Sequence, residues 1–491
     1  MNLANVFPMV GLNLVELASL LPLFILSFGA VITLLLGTHK EKGHFWAYAS
    51  GLVFIVVSLI FAASNLFLAD VSLLGETLVF NSLTKSLSLM ILVFAFMATL
   101  LTYGKDQQEG LLSEIYALIL FSTSGMILMT STSHLLFMFI SLEIMSLAIY
   151  VMVAMRRTSR FSSEAGLKYF ILGGVASALL LYGSSLIFGA SGSFELAKIK
   201  AYLLSQENPS VIFYIGLALV MTSMLFKVGA VPFHGWLPDV YQGAATNVTG
   251  FMGAAVKFTA FMAFSRIVQE IVFVSGGEEL KWFEAYLWIV SAASMIYGNF
   301  VAISQTEIKR MLSYSTIAHT GYLLLGFYAF KAEQSSESII LYLYFYALSN
   351  LGAFAIISQF ESKNSKDLTI NQMAGLGLKY PILGTMLTVF LLSMAGIPLT
   401  SGFIGKYGLF SSAVQAGEIP LVVVAVLTSV VSVFYYLRVI IFMFMKENEN
   451  SPVDYQSFKS ATVAAIISVL ATLQFGLFPK AIIQFVKVIA K

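Results

Sequence analysis

Six side chains able to hold or release a proton stand within apolar stretches of the 491-residue chain. They are Glu143 in "HLLFMFISLEIMSLAIYVMVAM", Lys168 just inside the run that follows "MRRTSR", Lys227 in "FKVGAVPFHGWLPDVYQG", Lys257 in "VTGFMGAAVKFTAFMAF", His319 in "SYSTIAHTGYLLLGF" and Lys406 in "MAGIPLTSGFIGKYGLF". A charged side chain at the centre of a membrane helix costs about 2.5–3.5 kcal/mol on insertion scales, so several along one chain must face a protein interior or water, paired or relaying protons. Such a row implies a path through the protein. The alternative is that each charge only pairs with another helix or reaches for the interface, and it weighs most on Lys168 and Arg438, which lie nearer span ends.

Two of these residues neighbour breaks in otherwise apolar sequence. "KVGAVPFHGWLP" and "SMAGIPLTSGFIGKY" both place Gly and Pro inside a run, which removes a backbone donor and leaves carbonyls unpaired unless a cavity or neighbour satisfies them. Paired interruptions in two halves of a membrane protein point to ion sites of transporters. A simple proline kink is the plainer reading of each, and the shared letters, "GAVP" at 229–232 and "AGIP" at 395–398, are too few to establish a repeat.

The elements that must position these groups are membrane helices. Hydrophobic residues make up 58% of the chain and charged ones only 11%, against about 25% charged in soluble domains. Windows of roughly 20 residues give about 14 spans long enough to cross the hydrocarbon, near 15–36, 45–64, 82–103, 112–130, 134–155, 166–189, 210–230, 246–268, 284–304, 310–330, 338–359, 381–411, 421–444 and 460–479. Continuous apolarity without alternation excludes a β-barrel. The breaks then fall in the seventh and twelfth spans. No polar block is long enough to fold separately, so residues 1–491 read as a single membrane domain of an all-α polytopic protein.

Loops after odd-numbered spans hold Lys40, Lys42, Lys105, Arg156, Arg157, Arg160, Lys309, Arg310, Lys363, Lys366, Lys379, Lys446 and Lys459, against seven positive residues opposite. The positive-inside rule therefore puts both termini away from the cytoplasm. The N-terminus carries no Lys or Arg before its first apolar run and no small-residue cleavage site, so the first span is expected to stay. A net charge of +2 invites no nucleic acid, and the lack of cysteine excludes disulfides, thiolate metal sites and iron–sulfur clusters in this chain.

The combination of "FKVGAVPFHGWLPDVYQG", "VTGFMGAAVK", "RMLSYSTIAHTGYLL" and "SMAGIPLTSGFIGKY" resembles the proton-translocating antiporter-like subunits of respiratory complex I. The continuation "DVYQGA" and the form "AGIPLTSGFIGKY" are of the N type of that family, and the resemblance covers nearly the whole chain. Where relatives usually carry a proline-bearing Ala-Pro-x-Pro-Val, this chain reads "AATNV", Ala244 to Val248, which leaves the entry to the eighth span less rigid.

The resemblance implies 14 helices with two inverted five-helix repeats, 110–268 and 282–445, broken helices 7 and 12, and a hydrophilic axis along the membrane midplane. It matches Glu143, Lys168, Lys227, Lys257 and Lys406 to the glutamate and lysines of the fifth, sixth, seventh, eighth and twelfth helices, and His319 to a polar position of the tenth. It implies a translocase subunit of the bacterial cytoplasmic (inner) membrane with no cofactor or metal in this chain. Flavin, iron–sulfur clusters and quinone belong to partner subunits, and the neighbours are the antiporter-like subunit M, small membrane subunits and lipid. A desolvated lysine gives up its proton more readily and a nearby carboxylate restores its hold, so a partner that moves can switch it. Lys227 fits this, with Glu143 as the partner that the resemblance brings close. Imidazole titrates near neutrality, which suits His319 to stand between the halves. A subunit of a multisubunit cation/proton antiporter is the alternative; a structural spacer is a poorer one, given the row of ionisable groups.

Overall fold

The computed structural model describes residues 13–104, 112–156, 159–205, 209–273, 280–332, 336–361, 368–446 and 458–490. Of the charges used for orientation, Lys105, Arg157, Lys363 and Lys366 lie outside the described residues, as do the first 12 positions of the N-terminal reading. The chain runs through α1 (Leu14–Gly37), α2 (Gly43–Asn65), a hairpin of β1 (Val71–Leu73) and β2 (Leu78–Phe80), α3 (Ser82–Thr102), α4 (Ile115–Ser131), α5 (Leu135–Val153), α6 (Arg160–Ser191) and α7 (Leu196–Ser205). There follow α8 (Val211–Val228), α9 (Leu237–Gly243), α10 (Thr246–Val272), α11 (Lys281–Ser304), α12 (Ile308–Gly326), α13 (Glu337–Phe360), α14 (Pro381–Ala395), α15 (Ser401–Gln415), α16 (Ile419–Met445), α17 (Lys459–Leu477) and α18 (Lys480–Ile489).

Among the described residues, 11 helices are long and apolar enough to cross a membrane, or 12 if the pair Asn371–Lys379 and Pro381–Ala395, bent by 119°, counts as one span. The expected number of about 14 is not reached on length and apolarity alone. The α4 helix has 17 residues, and α12 carries two basic residues in its first turn and a run of Ser, Thr and His beyond them. The all-α expectation also needs one correction. β1 and β2 pair antiparallel, Val71 with Phe80 and Leu73 with Leu78, because short apolar strands flank a turn at residues 74–77, a pattern too short for a 20-residue window to register.

Burial sorts the helices into layers. In their most apolar windows α10 and α13 are 94% buried, whereas α2 and α17 are 28% buried, so α10 and α13, with the buried α12, lie in the interior and α2 and α17 at the periphery. The outward stripe of α16, Val423, Val426, Leu427, Val430 and Phe434, is exposed at helical spacing, a face suited to hydrocarbon. Small residues bring α6 and α8 together: a Cβ on Gly183 would lie 2.7 Å from the Gly216 carbonyl oxygen, the close backbone approach that glycine permits between membrane helices.

The start of α10, in "AATNV", is held by side chains. Thr246 donates to Glu361 at 2.6 Å, Asn247 to Thr102 at 3.1 Å and Thr249 to the Tyr241 carbonyl at 2.9 Å.

Candidate functional site

Both breaks have the same construction. α8 ends at Val228 and α14 at Ala395, each followed by a left-handed glycine, Gly229 with φ +72° and Gly396 with φ +84°. The amide of Ala230 donates back to the Leu225 carbonyl at 2.9 Å, and that of Ile397 to the Leu392 carbonyl at 3.0 Å. This six-to-one closure requires a residue at positive φ, which glycine adopts without a Cβ clash. Pro232 and Pro398 then prevent the helix from resuming at once, and α9 and α15 begin at Leu237 and Ser401. The carbonyls released at the helix ends take side-chain donors: Val228 from the Thr320 hydroxyl at 2.9 Å, Phe226 from the Trp236 indole at 3.0 Å, and Ala395 from the Lys406 ammonium at 2.9 Å.

Lys227, in the last turn of α8, is buried and donates to Ser146 at 3.0 Å and Tyr150 at 3.1 Å, both on α5. Glu143 stands on the same α5 face, one and two turns before them, within electrostatic range of Lys227 but without an ion-pair contact to it. Its Oε1 is buried and accepts no hydrogen bond. Tyr150 therefore stands beside both charges. Lys257 lies where a five-residue π-helical segment, Met252–Val256, returns to α-helix, an irregularity frequent at functional sites. Its ammonium donates to the Thr316 carbonyl at 2.7 Å and sits 5.0 Å from the centre of the Tyr346 ring. A cavity of about 10 Å³, lined by Tyr169, Lys227, Val228, Trp236, Tyr241 and Lys257 among others, joins the two lysines; that is room for one water.

His319 is held at both ring nitrogens, Nδ1 against the Tyr342 hydroxyl at 2.5 Å and Nε2 against the Tyr436 hydroxyl at 3.1 Å. A neutral imidazole donates through one nitrogen and accepts through the other, so the two tyrosines face it in opposite roles. His319 lies within Coulombic reach of both Lys257 and Lys406. A second cavity of about 10 Å³ runs from His319, Tyr342 and Tyr346 to Ser393 and Gly402 at the α14–α15 break. Lys406 crosses that break to the Ala395 carbonyl and donates also to Ser429 at 2.8 Å.

The structure thus brings Lys227, Lys257, His319 and Lys406 into one buried row, with the half-buried Glu143 beside its Lys227 end, and leaves Lys168 apart. Lys168, about one-third exposed, pairs with Asp239, which also binds Arg310 at 2.9 Å. These residues line a cavity of about 170 Å³ at the end of the bundle that carries the arginine-rich loop, together with Glu164 and Gln242. Tyr169 and Trp236, stacked with ring centres 4.6 Å apart, flank the smaller cavity beyond. Arg438, the other residue near a span end, donates to the Ile303 carbonyl at 2.7 Å and to that of Gln305, closing the end of α11. Sequence reasoning missed the uncharged members, Ser146, Tyr150, Thr316, Thr320, Tyr342, Tyr346 and Tyr436. Hydroxyls are common within spans, and only the recurrence of Thr316 and Thr320 on the same face of α12 as His319 could have marked them.

Comparison with known proteins agrees with this arrangement. Residues 131–432 match the family model described as NADH:quinone oxidoreductase/Mrp antiporter, transmembrane. The NADH-quinone oxidoreductase subunit N of Trichlorobacter lovleyi is 38% identical over 490 residues, 99% of this chain and 98% of that one. A chain of the respiratory complex I structure from Thermus thermophilus with bound Aureothin superposes with a TM-score of 0.79 at 30% identity, over 94% of this chain and 98% of that one. A chain of the Mrp complex from Dietzia sp. shares the fold, with a TM-score of 0.78 at 20% identity over 96% and 97% of the two chains. The chain belongs to the NADH:quinone oxidoreductase/Mrp antiporter membrane-subunit family, among the subunit N members of NADH-quinone oxidoreductase.

Proposed function

We infer that this chain is a membrane-arm subunit of an NADH:quinone oxidoreductase and translocates protons, driven by quinone reduction in other subunits. The observation that carries the reading is the buried row Lys227, Lys257, His319 and Lys406 strung between two helix breaks, each closed by a left-handed glycine and a six-to-one hydrogen bond. Glu143 is the carboxylate whose approach or withdrawal sets the charge of Lys227. His319 passes a proton between Tyr342 and Tyr436 and so links the halves. Lys168, with Asp239 and Arg310 around the larger cavity, is where a proton from the cytoplasm reaches the row. Fourteen crossings result when α4, α12 and the α14–α15 pair are added to the 11 spans, and 110–268 and 282–445 are then two inverted repeats. The home is the bacterial cytoplasmic membrane, with both termini outside. The flavin, the iron–sulfur clusters and the quinone site are assigned to other subunits, and subunit M and small membrane subunits to the flanks.

Lysines, one glutamate and one histidine supply proton acceptors but no cage of several oxygens for sodium. The native assembly in sealed vesicles, supplied with NADH and quinone, is expected to acidify the side of the termini equally in sodium and in sodium-free potassium buffer. Acidification that vanishes without sodium, or that a sodium gradient drives with no electron donor, would reject the pump in favour of a cation/proton antiporter.

A further inference from the structure

One hydroxyl of α12 stands between the carbonyl at the broken end of α8 and the carbonyl that holds Lys257. Thr320 is fully buried and its Oγ1 lies 2.9 Å from the Val228 carbonyl, released at the α8 break, and 3.1 Å from the Thr316 carbonyl one turn earlier on α12. The hydroxyl has a single proton and can donate to only one of these carbonyls at a time. The Thr316 carbonyl is itself contested. It accepts the Thr320 amide in the helix ladder and the Lys257 ammonium at 2.7 Å, which occupies both of its lone pairs. With Lys257 in place, the Thr320 proton belongs to Val228. If Lys257 swings into the cavity toward Lys227, the Thr316 carbonyl is vacated, the hydroxyl can turn to it, and Val228 offers a bare carbonyl at the cavity wall beside Lys227.

We propose that Thr320 is a positioning residue whose hydroxyl turns between the Thr316 and Val228 carbonyls and thereby reports the position of Lys257 to the broken end of α8 at Lys227. The proposal rests on the reading of Lys227 and Lys257 as proton carriers. The break then does more than make room, since it supplies an acceptor that is free only when the neighbouring lysine has moved. The titratable groups facing this spot are Lys227 on α8, Tyr169 on α6, Tyr241 on α9, Lys257 on α10, His319 on α12 and Tyr346 on α13, with Glu143 on α5 behind Lys227.

The test compares Thr320→Val, which keeps shape and removes the proton, with Thr320→Ser, which keeps the hydroxyl, in the assembled complex in sealed vesicles. Thr320→Ala replaces the valine if that variant does not assemble. Proton pumping and quinone-linked turnover are measured across pH and normalised to assembled complex. Thr320→Val is expected to lower both by about three- to tenfold, the rate equivalent of one neutral hydrogen bond, and to displace a limb of the pH profile; Thr320→Ser is expected to restore rate and profile. A valine variant with normal turnover, one that is slow with an unmoved profile, or a serine variant no better than valine would each overturn the proposal. Lys257→Ala run in parallel separates the two ideas. If it pumps normally, the carrier reading has failed; if it stops pumping while Thr320→Val is normal, only the hydroxyl switch has failed.

Discussion

Lysines are buried at five described positions, 85, 227, 257, 309 and 406, and their partners divide them. Lys85 donates to the Leu68 and Ala69 carbonyls, each at 2.9 Å, and to Asp70 at 3.2 Å. Lys309 donates to the Ala244 carbonyl and pairs with Glu361. Lys227, Lys257 and Lys406 have hydroxyls and carbonyls but no carboxylate in contact. A buried cation paired with an anion is fixed in place by that partner, while one that faces only hydroxyls and carbonyls has neighbours able to pass a proton along. Lys85→Met is therefore expected to reduce the amount or thermal stability of the complex but to leave pumping per assembled complex near normal. Lys227→Met is expected to leave assembly intact and to lower pumping severely. The pair of measurements is assembled complex and pumping in vesicles, and equal loss of pumping in both would erase the distinction. The proposed carriers were legible in the sequence because an ionisable residue in an apolar run is conspicuous. Their partners were not, since which hydroxyl meets which lysine depends on helix rotation; the Gly-Pro break beside Lys227 set it apart from Lys85, but nothing in the sequence named the groups around either.

The elements were legible where they are long and apolar, and the two breaks were legible from Gly and Pro. The hairpin at 71–80 and the helical start at 371–379 were not, being shorter than a span and defined by what they lie against. The breaks make the sharpest prediction at this scale. Alanine at 396 must adopt φ near +84°, a strain of about 1–2 kcal/mol for an L residue, and its Cβ would fall 2.7 Å from Lys406 Cδ. The lysine is the flexible party, so it yields and leaves the Ala395 carbonyl. Gly396→Ala should thus lower pumping more than it lowers stability, measured as vesicle acidification against the thermal midpoint of the purified complex. A large loss of stability with normal pumping in the surviving complex would show that the break is only a kink.

At the scale of the whole molecule, the question is whether the two halves carry separate protons or share one route. Lys227 and Lys257 share a cavity; Thr316 bonds both Lys257 and the Tyr346 hydroxyl, the latter at 2.8 Å; Tyr346 and His319 line a second cavity that ends at the break beside Lys406. On the proposed function each group would hand a proton to the next, an arrangement in series. Steps in series are stopped by a block at any point, and a second block adds nothing, so residues acting as one unit are non-additive. Lys227→Ala and Lys406→Ala are each expected to lower pumping to a similar low level, and the double variant to be no worse than the more severe single. Two parallel routes predict otherwise: each single variant keeps about half of the pumping and only the double loses it. Vesicle acidification by the three variants at matched content of assembled complex decides between them, and half-activity in both singles would break the single row into two.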